Sequence, residues 1–207
     1  MAFGVVLNTK TGLGVQAGIL LPFVLSSITG ITLGTLTIML HIVLISLQAI
    51  ITRRINMKVI LQLPVTLLFG QAIDLLNGLL DFEATNIFIS GLVLCLAMIF
   101  AAFGMMLSVS MKIVPVALDG FVKTVSEHFA FAIGRVKIFF DSSLVMVSIV
   151  LSLIFAGEII GVGVGTVVAA FLIGRIGAFF LPWINRLYKV EASPLGYDKR
   201  DKSPKDN

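Results

Sequence analysis

The sequence predicts an all-α, polytopic membrane protein made of two inverted three-helix repeats, each with a short broken or re-entrant segment. Three observations predict it. The 207 residues are 58% hydrophobic and 13% charged, with a mean hydropathy of +1.09, whereas a soluble domain carries about 25% charged residues. Several uncharged runs reach the roughly 20 residues that a helix needs to span a bilayer. Finally, the stretch 30–51, GITLGTLTIMLHIVLISLQAII, has an ungapped echo one hundred residues later within 131–156, FAIGRVKIFFDSSLVMVSIVLSLIFA, with Gly34 facing Gly134 and His41 facing Asp141.

Along the chain, residues 1–8 are apolar but too short to span, and 9–14 are a turn-rich break. Residues 15–29 are short for a crossing and contain Pro22, so they suit a re-entrant half-helix. Residues 33–51 span. The loop 52–58 is basic, with Arg53, Arg54 and Lys58. Residues 59–80 span again around Pro64, which removes a hydrogen-bond donor and should kink the helix. The loop 81–86 is acidic, and 87–110 is an uncharged span. The segment 111–135 is mixed, like 9–33, and carries Lys112, Asp119, Lys123, Glu127 and His128. Residues 134–156 and 163–184 span, separated by a short loop holding Glu158. The polar end, 188–207, reads as a disordered cytoplasmic tail.

The repeat covers 2–52 against 102–152, with identities at Ala2, Phe3, Gly4, Leu7, Ala17, Ser26, Gly34, Ile38 and Leu44. Further on, 67–76 resembles 170–181, pairing Gly70 with Gly174 and Gln71 with Arg175. Residues 1–86 are therefore the first membrane repeat and 87–187 the second. The first span of the second repeat is 87–110, so its counterpart is expected to begin before Met1, as though the N-terminal helix were truncated. Cation placement sets the orientation. The basic loop 52–58 and the tail are cytoplasmic, and the acidic loops 81–86 and 157–161 are external, which turns the second repeat upside down relative to the first.

Charged residues inside spans are costly and default to functional sites. Candidates for a substrate or ion pathway are His41, Gln71, Asp74, Asn77, Asp119, Arg135, Asp141 and Arg175. Arg175 is expected either to pair with Asp74 or Asp141, holding the repeats together, or to bind an anionic or zwitterionic solute. Gln71, Asp74 and Asn77 recur at i, i+3 and i+6, a polar stripe on one helix face; it fits an aqueous path or an interhelical seam equally. His41 shares a face with Thr37 and Gln48 and suits either packing or a proton relay. If 15–29 and 114–130 are both re-entrant, their N-termini point into the protein from opposite sides, each with about half a positive charge.

Gly14, Gly30, Gly34, Gly134, Gly161, Gly165 and Gly174 are candidate close-packing positions, with Gly161/Gly165, Gly14/Gly18 and Gly30/Gly34 at small-residue spacings. The run GVGVGT at 161–166 lacks the third glycine and the βαβ context of a dinucleotide fingerprint. Two separated histidines and a lone Cys95 do not suggest a metal site or a disulfide. No catalytic triad, P-loop or paired-glutamate pattern points to an enzyme. No cofactor and no nucleic-acid partner is expected; the lipid bilayer is.

The stretches ALDGFVKTVSEHFAFAIGRVKIFFD (117–141), IIGVGVGTVVAAFLIGRIGAFFLP (159–182) and GQAID (70–74) resemble the YitT/YczE family of bacterial membrane proteins. That family's broken segment reads Gly-x-x-Pro-x-Asp. Asp119 is kept here, but Ala117 stands at the proline, and Ala17 and Ile19 replace proline and acid in the first repeat. The resemblance implies a multi-pass protein of the bacterial cell membrane and allows a transporter, without a substrate. The expected function is thus a small secondary transporter or channel for a small polar or anionic solute; the alternative is a non-transporting scaffold or assembly partner.

Overall fold

The computed structural model describes residues 1–53, 57–82, 84, 86–110 and 116–187. The tail at 188–207 lies outside them, as do most of the 111–116 connection and the middle of the basic loop. Eight helices follow one another: α1 (Ala2–Thr9), α2 (Ala17–Thr29), α3 (Leu33–Thr52), α4 (Met57–Leu79), α5 (Ile87–Ser110), α6 (Ala117–Phe129), α7 (Ile133–Ala156) and α8 (Val164–Leu187). Among the described residues four stretches are long and apolar enough to cross a membrane: Leu33–Thr52, Val59–Leu79, Ile87–Ser108 and Ile133–Ala156. α8 matches them in length, with 24 residues. α4 continues through Pro64 as one helix. Phe88, Leu68, Phe139 and Ile154 are among the large apolar side chains exposed on the outer surface, the surface that bilayer hydrocarbon covers.

The internal repeat is structural. α2 and α6 begin and end in register one hundred residues apart, and α3 and α7 start at Leu33 and Ile133. Both half-helices end in the same turn. Gly30 and Ala130 take left-handed conformations, with φ of 72° and 53°. Ser26 Oγ donates to the Ile31 carbonyl at 2.6 Å, and Ser126 Oγ donates to the Phe131 carbonyl at 2.7 Å. The relation is inverted. α1, the sequence mate of the last turns of α5, packs antiparallel to α5: Gly4 lies against the backbone of 97–101, Gly104 against Met1, and Phe3 edge-on to Phe100 at 5.0 Å.

At thirteen residues each, α2 and α6 are about 20 Å long, too short for a hydrocarbon core of about 30 Å. Their first turns are buried and their last residues exposed. The first turns meet inside the protein, where Leu118 lies over Gly18. Each half-helix packs on the long helix of the other repeat, α2 on α7 and α6 on α3. The repeats are therefore interlocked rather than merely adjacent. The main apolar core follows α2, with Val15, Ile19, Leu20 and Val24 against Val5, Val6, Leu33 and Ile73. The α4–α5 and α7–α8 connections meet the segment ahead of α2: Ala84 N donates to the Lys10 carbonyl at 3.1 Å, and Val15 N donates to the Gly161 carbonyl at 2.7 Å.

Candidate functional site

The hairpins α3–α4 and α7–α8 are repeat mates, yet they are packed differently. In the first, Gly34 and Gly70 bring the two backbones together, with Ile38 filling the next turn. Asp74 closes one end of this seam. Its Oδ1 accepts from Gly34 N at 2.6 Å and its Oδ2 accepts from Thr32 Oγ1 at 2.7 Å. The carboxylate thus serves a helix start whose N–H groups have no intrahelical acceptor and whose partial positive charge favours an anion. At the other end Gln48 and Gln62, both buried, exchange amide hydrogen bonds at 3.1 and 3.3 Å, and Gln48 Nε2 also donates to the Ala117 carbonyl in the first turn of α6. Between these ends, His41 stacks on Phe69 at 5.9 Å. His41 Nδ1 and Thr66 Oγ1 are buried without a hydrogen-bond partner among the described residues.

The second seam is open. α7 and α8 do not form a packed pair among the described residues, whereas α8 packs along α5. A Cβ placed on Gly134 would meet nothing within 4 Å among the described residues. Ile138 is 69% exposed, although its mate Ile38 packs on Gly70. A groove of about 460 Å³, open on its outer side, occupies the gap, lined by Asp141, Val145 and Ile149 of α7, by Thr166 and Ala170 of α8, and by Ala17, the first residue of α2.

The cause is visible in the side chains. In the register that pairs Gly70 with Gly174, the positions of Thr32, Gln48, Gln62 and Asp74 are taken by Ala132, Ser148, Thr166 and Ala178. Ser148 Oγ donates back to the Leu144 carbonyl at 2.7 Å. Thr166 Oγ1 donates to the Gly161 carbonyl and accepts from Gly163 N. Neither reaches across the gap as a glutamine does.

One ionic cluster borders the groove. Lys137 Nζ lies 3.4 Å from Asp141 Oδ2 and 3.6 Å from Asp119 Oδ1, tying α7 to the first turn of α6. The second oxygen of Asp141 is enclosed without a hydrogen-bond partner among the described residues. Of the residues expected to form a pathway, only Asp119 and Asp141 are joined in this way, and Lys137 is the group that joins them. Arg135 and Gln71 are exposed, and Asn77 is half-buried on α4. Arg175 is exposed on α8 and forms no ion pair among the described residues. Its expected pairing with Asp74 or Asp141 is absent because one acid holds the start of α3 and the other holds Lys137.

The glycines divide into three groups. Gly34 packs against α4. Gly14 and Gly165 pack where the unwound chain ahead of α2 meets the start of α8, with Gly165 N donating to the Leu13 carbonyl at 2.7 Å, and Gly161 packs on Leu20 and Phe23 of α2. Gly30 and Gly134 make no close contact among the described residues; the first is a helix cap and the second lies on the open seam. Surroundings at Gly174 lie outside the described side chains.

Lys137, Gln62, Thr32 and Thr166 were not singled out as functional positions by sequence. Gln62 had a usable signal, an amide within an apolar run facing another amide, Gln48, across a hairpin. Thr32 had the signal of an N-cap, a threonine just ahead of an apolar run, and Thr166 had none, since threonine is common in membrane helices.

Interlocked inverted repeats with buried half-helices define a polytopic helical membrane protein. A family of unknown function, DUF6198, matches residues 1–182, and the chain belongs to it. No curated protein and no solved structure matches.

Proposed function

We propose that this protein is a small secondary carrier whose solute site is the cleft between α7 and α8. The observation that carries this reading is the groove of about 460 Å³ at the first residue of the half-helix α2. Its size falls in the range of small-molecule sites, about 300–1,000 Å³. Inverted-repeat carriers place their solutes where discontinuous helices begin, between repeats. The walls are mostly Val, Ile, Met and Phe side chains, with Asp141, Ser142 and Thr166 as the polar groups. That chemistry suits a small amphipathic solute with an apolar body and a cationic or hydrogen-bond-donating group. An anion would meet the Asp141 carboxylate, and Arg175, the group expected to receive it, is not part of the lining. The likeness to the YitT/YczE proteins supports a location in a bacterial cell membrane, and the cation bias of the loops supports a cytoplasmic C-terminus.

Thermal unfolding of purified protein against small organic amines, their neutral analogues and carboxylates tests the site. An amine should raise Tm in the wild type, less in Asp141→Asn and not in Ala170→Trp, which fills the cleft. Proteoliposomes should then accumulate that amine. A panel without any stabilising amine, or equal stabilisation of Ala170→Trp, overturns the reading in favour of a non-transporting scaffold.

A further inference from the structure

We infer that α8 is the moving gate of this protein: it closes on α7 along Gly134, Ile138 and Gly174, while the α3–α4 hairpin stays latched as the frame. The inference rests on the carrier reading for its purpose, but the motion is measured without a solute.

The repeat supplies the closed geometry. Gly34, Ile38 and Gly70 show how a hairpin of this sequence packs when shut, and Gly134, Ile138 and Gly174 are the same residue types at the same positions. Among the described residues nothing lies within 4 Å of a Cβ placed on Gly134, and Ile138 is exposed. The apolar face is therefore matched to this chain's own helix. Closing would bury apolar cleft surface and remove the groove.

The polar latches explain which seam moves. Asp74 with Thr32 and Gly34, and Gln48 with Gln62, hold α3 to α4 at both ends. Their mates in the second repeat are alanine, serine and threonine, so opening or closing α7–α8 breaks no cross-helix hydrogen bond of that kind. A pivot is present as well. Gly157 and Gly161 both have φ of 74°, and the start of α8 is pinned to the chain ahead of α2 by the bonds from Val15 N to the Gly161 carbonyl and from Gly165 N to the Leu13 carbonyl. Movement about 161–165 would bring the rest of α8 toward α7.

The test is a disulfide between Ile138→Cys and Gly174→Cys in a Cys95→Ala background, formed by mild oxidation in native membranes and read on a non-reducing gel. An intramolecular cross-link is expected. Adding Gly134→Leu should leave Tm unchanged, because that position is open, and should abolish the cross-link by blocking closure. A covalent dimer would assign this face to a second copy of the chain and overturn the gate. No cross-link in a protein of unchanged Tm would also overturn it, as would a cross-link that persists with Gly134→Leu. Solute transport without a cross-link would leave the carrier and remove the gate; a cross-link in a protein that transports no solute would do the reverse.

Discussion

Gly34 lies against the carbonyl of Gly70 with no room for a methyl group between them, while a methyl group on Gly134, its repeat mate, would meet nothing within 4 Å among the described residues. The two positions should therefore respond oppositely to the same substitution. Gly34→Ala forces the hairpin apart and should cost about 1–3 kcal/mol, the usual range for overpacking. Gly134→Ala adds a methyl group without a clash and improves local helix propensity, so it should be neutral or slightly stabilising. Thermal unfolding in detergent compares them directly. Equal destabilisation by both would mean that the second seam is as tightly closed as the first.

Asp74 was a candidate pathway residue, and its geometry gives it another role. It accepts from Gly34 N and Thr32 Oγ1, joining the end of α4 to the start of α3. Asp74→Ala leaves Gly34 N without its acceptor, while Thr32 Oγ1 retains Thr35 Oγ1, and should destabilise by roughly 1–3 kcal/mol. Thr32 Oγ1 also caps α3 by accepting from Thr35 N, so in the Asp74→Ala background Thr32→Ala should keep the cost of a lost cap, about 1 kcal/mol, and lose only the part it shares with Asp74. A full extra loss from Thr32→Ala in the Asp74→Ala background would show that the contact contributes nothing.

Much of this architecture was legible in the sequence, for physical reasons tied to particular residues. The half-helices were visible because 15–29 is too short to cross and 114–130 is too polar, and the first turns of α2 and α6 are buried, in line with the re-entrant reading. The repeat was visible because Gly34, Ser26 and Ile38 recur without a gap, and the turn made by Ser26 is made again by Ser126. Pairing of charges was not legible. Lys137 meets Asp119 only because α6 folds back beside α7, and no periodicity encodes that approach. Arg175 looked like the partner of Asp74 because both are charges within apolar runs, but the backbone of α3 is the nearer and better-oriented donor. The unequal seams were hidden too, since Gly134 reads the same as Gly34. Only the loss of the polar pairs, Gln48 and Gln62 to Ser148 and Thr166, foreshadows the cleft.

Ala130 offers a stability test that leaves the cleft untouched. It caps α6 with φ at 53°, the conformation that Gly30 adopts in the first repeat with φ at 72°. A left-handed conformation costs a residue with a side chain roughly 1–2 kcal/mol, partly offset by the greater unfolded-state freedom of glycine. Ala130→Gly should therefore raise the unfolding temperature modestly. A lowered Tm would indicate that the methyl group of Ala130 makes a contact worth more than the strain it imposes.

The last prediction concerns Arg175 and Asp141. A buried ion pair would make Arg175→Ala strongly damaging, about 3–5 kcal/mol, and removal of both charges would restore much of the loss. The geometry argues otherwise. Asp141 has Lys137 at 3.4 Å and lines the cleft, whereas Arg175 is exposed on α8 and outside that lining. The two residues thus have separate surroundings, and substitutions with no shared partner add to within about 0.5 kcal/mol. Arg175→Ala and Asp141→Asn should give a double variant whose change in Tm is the sum of the single changes, while Lys137→Met and Asp141→Asn should couple. Rescue of Arg175→Ala by Asp141→Asn would reinstate the pair and place α8 against α7, with the cleft closed.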